Sequence, residues 1–468
     1  MCKISFFYIL LFLFCFLKLG AIPTDSIRID SIILVGNEKT KDWVILQEAR
    51  IETGTYYSIK DFNIKLQEIN VDLQKTNLFS KVEVSYILDL RDIYVAKIVI
   101  NLEEAWLLFP SVIFELADRN FNVWWKEHDH SFNRINLGLK LYHYNFTGRN
   151  DRIKLRMHAG YTQRYDISYE YPYINKARNL GLRTGIFYTQ SKEINIQTID
   201  NKYVLLENKD APLYNRWEAS VSFRYRPGRT KTYVYSGSYN IHQTTSFISE
   251  ANPEFFLDKR TQIRYTSMEA DYLVNTQDLI IRPKRGYLLR LAAKKEGIPG
   301  IESVNNLYIG QEFGMTQKIA KKLYYNLLVR AKEELLRNKP PYFIYKGLGS
   351  KELQIKGYQH YVIDGSDLIL FENYIRRPLF SYQKALFKIL KGEPRLNIKL
   401  DLDLIIQGSM AYVNDPFYSE ENFLSNTWLY SGGAGIDIVV NDAVRVEVYF
   451  AANHLKETGI FINTKSTF

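Results

Sequence analysis

Few residues of this 468-residue chain stand in a pattern that performs covalent chemistry. Glu127-His128-Asp129-His130 gathers side-chain types that bind divalent metals. The cluster lies in a polar stretch between two strand patterns, where a solvated group of charges is the better reading. There is no Gly-Xaa-Ser-Xaa-Gly elbow, no phosphate-cradling glycine loop and no zinc-type Cys/His spacing. The only cysteines, Cys2 and Cys15, fall in the extreme N-terminal segment. The expectation is a protein that is not an enzyme and uses neither metal nor cofactor, so its many charges must serve another purpose.

Lys and Arg number 61 against 51 Asp and Glu, a formal net charge of +10. That balance raises the question of nucleic acid, but the cations alternate along strand-like segments or sit near loops. They form no aromatic-interleaved patch on a helix, so no nucleic-acid partner is expected. A mean hydropathy of −0.24 excludes a polytopic helical membrane protein. It does not exclude a membrane β-barrel, half of whose residues can be polar. The 35 Tyr and 27 Phe fit that alternative, because an amphipathic ring is most useful where one end is apolar and the other wet.

The elements that must position these residues fall into three parts. Residues 1–21 combine Lys3, an apolar run from Ile4 to Leu17 and small residues at Gly20-Ala21, which reads as a secretory signal peptide. Cys15 could suggest lipid attachment, but Phe14 precedes it where a small residue is wanted, and the run is short for a spanning anchor. Residues 26–105 read as a small α+β domain in the order β-α-α-β-β. A strand over 27–35 stops at Gly36-Asn37, Thr40 caps a helix to about Ala49, and Ser58 with Asp61 opens a second helix. Phe62, Leu66, Ile69 and Leu73 make its apolar stripe, Lys75 and Asn77 its end, and strands around Val82-Val84 and Tyr94–Leu102 follow.

From 106 to 468 the helical period largely gives way to segments of about ten residues with alternation of two. Leu137 and Leu139 alternate with Gly138 and Lys140, and Leu400, Leu402 and Leu404 with Asp401 and Asp403. Val444, Val446 and Val448 alternate with Arg445 and Glu447. Sixteen such segments run from 108–116 to 459–468, and include 367–376 and 396–411. An even count, a charged face on strand after strand and Tyr-rich ends such as Tyr165, Tyr169, Tyr171 and Tyr173 point to a sixteen-stranded antiparallel transmembrane barrel. The long gaps at 191–213, 243–259, 334–366 and 412–426 fall on alternate connections and are expected on the extracellular side. The Lys- and Arg-rich stretch 377–395 is expected on the periplasmic side.

The motifs in this frame resemble the Omp85 superfamily, in which periplasmic POTRA domains precede a sixteen-stranded outer-membrane barrel. The resemblance rests on Gly36-Asn37 and Leu78-Phe79 in the N-terminal part, which look like one POTRA domain. In the barrel it rests on Asn145–Asn150, Tyr171-Pro172-Tyr173 and Pro283–Tyr287, and above all on Ile355-Lys356-Gly357-Tyr358, followed by Glu372-Asn373. The tetrapeptide is similar to the family's Val-Arg-Gly-Tyr motif, whose Arg folds back into the barrel and pairs with an acid on a later strand. Here Lys356 keeps the charge without the planar fork of an arginine, and Ile406 stands where the family's Asp would. The resemblance therefore implies a pairing of Lys356 with Asp401 or Asp403, with Glu372 as a further candidate, unless Lys356 is an ordinary solvated loop lysine. Phe468, a terminal aromatic on the last strand, resembles the signal by which such barrels are recognised for insertion.

What the resemblance implies about function is assembly or insertion of other outer-membrane proteins. Unfolded barrel clients would be received at the POTRA domain and templated at the seam between first and last strands, with lipid and lipopolysaccharide around the barrel and a possible periplasmic partner. A single POTRA domain favours an accessory member over the central assembly factor. The alternatives are a secretion pore for one dedicated partner protein and a structural surface-antigen barrel.

Overall fold

The computed structural model describes residues 26–76, 78–89, 94–175, 177–228, 230–351, 353–385, 397–442 and 444–466. The signal-peptide segment with Cys2 and Cys15, the helix stop at Asn77 and the terminal Phe468 lie outside them, as does most of the basic stretch 377–395. The chain divides into two compact units. One takes the described residues up to Leu107 with Tyr144–Asn150, and the other takes Leu108–His143 with the described residues from Asp151 on.

The first unit has strands β1 (Ser26–Val35), β2 (Tyr56–Ser58), β3 (Phe79–Leu88) and β4 (Val95–Glu104), with helices α1 (Asp42–Ala49) and α2 (Ile59–Lys75). The sheet order is β2-β1-β4-β3, with β1 parallel to β4 and the other pairs antiparallel. Ser58 caps α2 as expected, its Oγ accepting from the Asp61 N–H at 3.2 Å and donating to the Asp61 carboxylate at 2.7 Å. The stripe Phe62, Ile69 and Leu73 is buried against Ile29, Val44, Ile45, Ile98 and Ile100. Thr40 does not cap α1, whose N-cap is Lys41. Thr40 is instead buried, and its N–H donates to Glu104 Oε1 at 2.6 Å.

Gly36 has φ +90°, and a Cβ there would lie 2.0 Å from the Leu102 carbonyl oxygen on β4. Gly36→Ala is therefore expected to cost about 1–3 kcal/mol of strain. In the full chain it should speed amide exchange across β1 and β4 by roughly tenfold to a hundredfold, since 1.4 kcal/mol is one decade. Leu78 and Phe79 are buried where β3 begins, so these motif residues serve the core of this unit.

The second unit is an antiparallel meander of sixteen strands. They are β5 (Leu108–Leu116), β6 (Ile135–Tyr144), β7 (Arg152–Gly160), β8 (Thr162–Tyr171), β9 (Leu180–Ser191), β12 (Tyr214–Tyr225), β13 (Lys231–Thr244), β14 (Gln262–Asn275), β15 (Gly286–Glu296), β16 (Asn306–Ala320), β17 (Leu323–Glu334), β18 (Asp367–Ala385), β19 (Asn397–Asn414), β20 (Trp428–Val440), β21 (Val444–Asn453) and β22 (Thr458–Ser466). Each neighbours the next, and β5 and β22 are the two ends of the sheet. A separate hairpin of β10 (Glu193–Ile199) and β11 (Lys202–Glu207) fills the connection between β9 and β12.

Polarity is inverted relative to a water-soluble sheet. Leu137, Leu139, Met157, Tyr235, Ile406 and Ile460 are exposed, whereas Asp401, Asp403, Asp437 and Glu447 are buried on the other face. Such a surface suits lipid outside and a charged lumen inside. No helix of the described residues is long and apolar enough to cross a membrane, so crossing falls to the strands.

Two aromatic rows cross neighbouring strands. Tyr165, Tyr188 and Trp217 run across β8, β9 and β12 with centroids 6.3 and 4.4 Å apart, and Tyr225, Tyr233 and Tyr272 across β12, β13 and β14 at 6.0 and 4.9 Å. Trp217 and Tyr225 are separated by about 26 Å along β12 at ~3.3 Å per residue. Tilt shortens that span, which then brackets an apolar band of outer-membrane height.

The strand boundary furthest from the sequence reading is the end of β18. β18 continues past Arg376 to Ala385, paired with β19, through a register shift between Pro378 and Phe380. A proline has no N–H for the ladder and signals an end by sequence, but at a bulge it is tolerated.

Candidate functional site

The connection 335–366 between β17 and β18 carries the tetrapeptide. Ile355 and Tyr358 are buried, Ile355 in an apolar cluster with Leu348, Ile363, Leu370, Val413 and Leu429. Gly357 has φ +83°, and a Cβ there would meet Ser431 Cβ at 3.0 Å, so the chain can turn against β20 only without a side chain. The Ser431 hydroxyl donates to the Lys356 carbonyl at 2.6 Å, and the Asn453 amide to the Gly357 carbonyl at 3.0 Å. The Tyr358 hydroxyl donates to the Tyr430 carbonyl at 3.0 Å and shares a hydrogen bond with His454 Nδ1. The loop tip is thus fixed to β20 and to the end of β21 through its own backbone and tyrosine.

Lys356 is mostly buried, and it does not pair with Asp401 or Asp403. Its Nζ donates to Glu447 Oε1 and Gln407 Oε1, and lies 5.3 Å from the Tyr449 ring centroid. Glu447 also faces Arg445 at 3.6 Å, which holds Asp437 at 2.7 Å. Glu372 lines the same cavity of about 320 Å³ with Arg330 and Lys465, but the carboxylate bonded to Lys356 is Glu447.

Strand stagger decides which acid Lys356 meets. Asp403 lies four residues below Gln407 on β19, about 13 Å at ~3.3 Å per residue. Barrel strands are staggered and tilted, which brings Glu447 of β21 to the level of the loop tip. Arg445 and Glu447 belong to the polar face read from the sequence, yet nothing in the sequence gives the relative heights of β19 and β21.

Asp401 and Asp403 are engaged elsewhere. Between β14 and β15, the connection 276–285 sends Arg282 inward, where its Nε donates to Asp403 Oδ2 at 2.6 Å and its Nη2 to the other oxygen. Arg282 Nη1 also lies 3.2 Å from Asp401, and Arg376 Nη1 lies 3.4 Å from Asp403. Arg376 in turn donates to the Pro283 carbonyl. Asp278 anchors the same turn by accepting from the Lys284 N–H at 2.8 Å; burial opposes its ionisation, but the backbone donors win and hold its carboxyl below the usual range. Arg282 directly precedes the Pro283–Tyr287 motif, and that adjacency was the available signal for it.

At the end of the sheet bearing the longer connections, loops interlock. Asn201 donates to the Val362 carbonyl at 3.1 Å and accepts from the Leu424 N–H at 2.9 Å. Tyr345 donates to Asp415 at 2.7 Å, and Thr198 to Asp364 at 2.6 Å. Burial raises the Asp364 carboxyl and lowers the Lys346 ammonium, each favouring its neutral form.

Glu127-His128-Asp129-His130 does not converge. Glu127 bonds His360 Nδ1 at 2.8 Å, His128 lies 3.3 Å from Asp118, and His130 stacks on Trp125 at 4.7 Å. Burial pushes the Glu127 carboxyl up, but the His360 hydrogen bond and the Arg119 charge outweigh it and leave it lowered. The β10–β11 hairpin was missed in the sequence, although Asp200-Asn201, both at positive φ, is a characteristic two-residue hairpin turn.

A sixteen-stranded sheet with an apolar exterior, a charged interior and an inward-anchored loop defines the class of outer-membrane β-barrels. Residues 145–330 match the Omp85 superfamily domain, and residues 27–105 match the POTRA model described as a surface antigen variable number repeat. The chain therefore contains an Omp85 superfamily domain and a POTRA domain. Its fold is similar to that of BamA from Haemophilus ducreyi lacking POTRA domains 1–3, with TM-score 0.63 at 13% identity over 94% of this chain and 85% of that one. It is also similar to CdiB from Escherichia coli, with TM-score 0.56 at 10% identity over 94% of this chain and 76% of that one. For CdiB from Acinetobacter baumannii the TM-score is 0.53 at 10% identity over 94% and 74%. A comparison with curated protein sequences finds no match.

Proposed function

We propose that this chain is an outer-membrane assembly factor that inserts client β-barrels at the seam between β5 and β22, its POTRA domain facing the periplasm. The observation that carries the reading is the sheet itself: among the described residues its sixteen strands run from β22 to β5 with no ladder joining these two ends. An unpaired strand edge is a template for another strand, and strand addition is a general mode of peptide recognition. The POTRA sheet offers a second such edge at β3, where Tyr86, Ile87 and Leu88 are exposed. The client is an unfolded outer-membrane protein, and lipid with lipopolysaccharide surrounds the apolar face.

Export through the lumen is the second reading, favoured by internal cavities of about 320 and 480 Å³ lined by charged side chains. It requires both the Lys356 and the Arg282 anchors to leave the lumen, whereas seam insertion leaves them in place.

Reconstitution into liposomes with a urea-denatured barrel client separates the two. Client folding, read as heat-modifiable migration, is expected to run at least tenfold faster than in empty liposomes. Equal rates in liposomes with and without the protein would overturn the assembly reading.

A further inference from the structure

The connection between β5 and β6, residues 117–134, contains a short helix, α3 (Phe121–Lys126). Asn122, in its first turn, is buried, and its side chain contacts the backbone of β22 at two points. Its Oδ1 accepts from the Ile462 N–H at 2.9 Å, and its Nδ2 donates to the Ile462 carbonyl at 3.3 Å. One side-chain amide thereby reproduces the paired donor and acceptor that a neighbouring strand presents.

Backbone groups alternate between the two edges of a strand. Because Ile462 directs both groups to Asn122, those of Phe461 and Asn463 face β21, with which β22 is registered. Ile462 is therefore a seam-side position, and Asn122 occupies it. The helix is itself tied to the loop that carries Lys356. Asn120 caps α3 by accepting from the Val123 N–H at 2.9 Å and donates to the Gln359 carbonyl at 2.9 Å, three residues from Lys356. Arg119 donates to the Tyr361 carbonyl at 2.7 Å.

We propose that Asn122 is a side-chain latch that occupies the seam edge of the last strand at Ile462, coupled through Asn120 and Arg119 to the inward-folded loop, and that an incoming client strand must displace it. The latch deepens the assembly reading and rests on it for its functional meaning, while its structural content stands apart. A client strand supplies a row of donors and acceptors along β22, whereas Asn122 supplies one pair. The exchange therefore favours the client while the latch keeps the resting edge from pairing at random.

The test is amide hydrogen exchange on the full chain in lipid nanodiscs, with heat-modifiable migration confirming that each variant is folded. Asn122→Ala is expected to speed exchange at Ile462 at least tenfold while leaving Phe461, bonded to β21, unchanged. Asn122→Asp, which keeps the acceptor and loses the donor, should retain most of the Ile462 protection. In the liposome assay Asn122→Ala should raise the initial rate of client folding. Unchanged Ile462 exchange in Asn122→Ala would overturn the latch, whatever the client rate. Faster Ile462 exchange with no client acceleration even by the unaltered protein would leave the latch standing and remove the assembly reading.

Discussion

Lys356→Ala is expected to free the inward loop and to lower barrel stability by about 3–5 kcal/mol, the usual cost of stripping one partner from a buried ion pair. The pair qualifies as buried, since the side chains of Lys356 and Glu447 are 15% and 7% exposed. Two features shape the result. Arg445 remains 3.6 Å from Glu447 and partly compensates its charge, which moves the expected loss toward the lower end of the range. The loop also keeps its bonds from Ser431 and Asn453 and the Tyr358 contacts, so the tip should loosen without unfolding the barrel. Limited proteolysis within 335–366 should appear in the variant and be absent in the parent. Lys356→Arg should retain protection, because its fork can span Glu447 and Gln407. Lys356→Met combined with Glu447→Gln should cost less than the sum of the single changes, which is the signature of a direct coupling.

Asp403→Ala is expected to have the larger effect. It leaves the Arg282 and Arg376 guanidinium groups buried beside one another, with Asp401 the remaining acid, 3.2 Å from Arg282. The group is buried in the folded chain, Asp403 being 0%, Arg376 2% and Arg282 7% exposed. The expected loss lies at the upper end of about 3–5 kcal/mol, read as a lower urea midpoint for barrel unfolding. The turn 276–285 should leave the lumen, and single-channel conductance in planar bilayers should rise. Arg282→Ala should raise conductance in the same way with a smaller stability loss, because Asp403 then still faces Arg376.

The sequence carried the repeat unit of this fold well and its cross-strand geometry poorly. Alternation by two marked every strand of the barrel because one face meets lipid and the other a wet lumen, so each residue reports its side. Ser58 and the stripe Phe62, Ile69 and Leu73 marked α2 for the same kind of local reason. Thr40 failed as a cap because Asn145, distant in sequence, donates its side-chain amide to the Thr40 hydroxyl at 2.8 Å, a tertiary contact that overrides local preference. The site was legible by half. Ile355-Lys356-Gly357-Tyr358 was identified as the inward tip, but its partner depended on how far β21 is staggered against β19. Charge alone could not choose among Asp401, Asp403, Glu372 and Glu447. Arg282 was passed over because a cation in a short polar turn ordinarily points to water. Asn122 gave no signal, since its role depends on where the last strand ends up.

Under the proposed mechanism, clients meet this protein at the β5–β22 seam and not inside its lumen. Site-specific photo-crosslinking during client folding in liposomes tests it most directly, with probes at lipid-facing Val112 on β5 and Ile460 on β22, lipid-facing Tyr235 far around the barrel on β13, and cavity-lining Arg183. Client adducts are expected at Val112 and Ile460 and none at Tyr235 or Arg183. Adducts at Arg183 with none at Ile460 would contradict the mechanism and establish passage through the lumen instead.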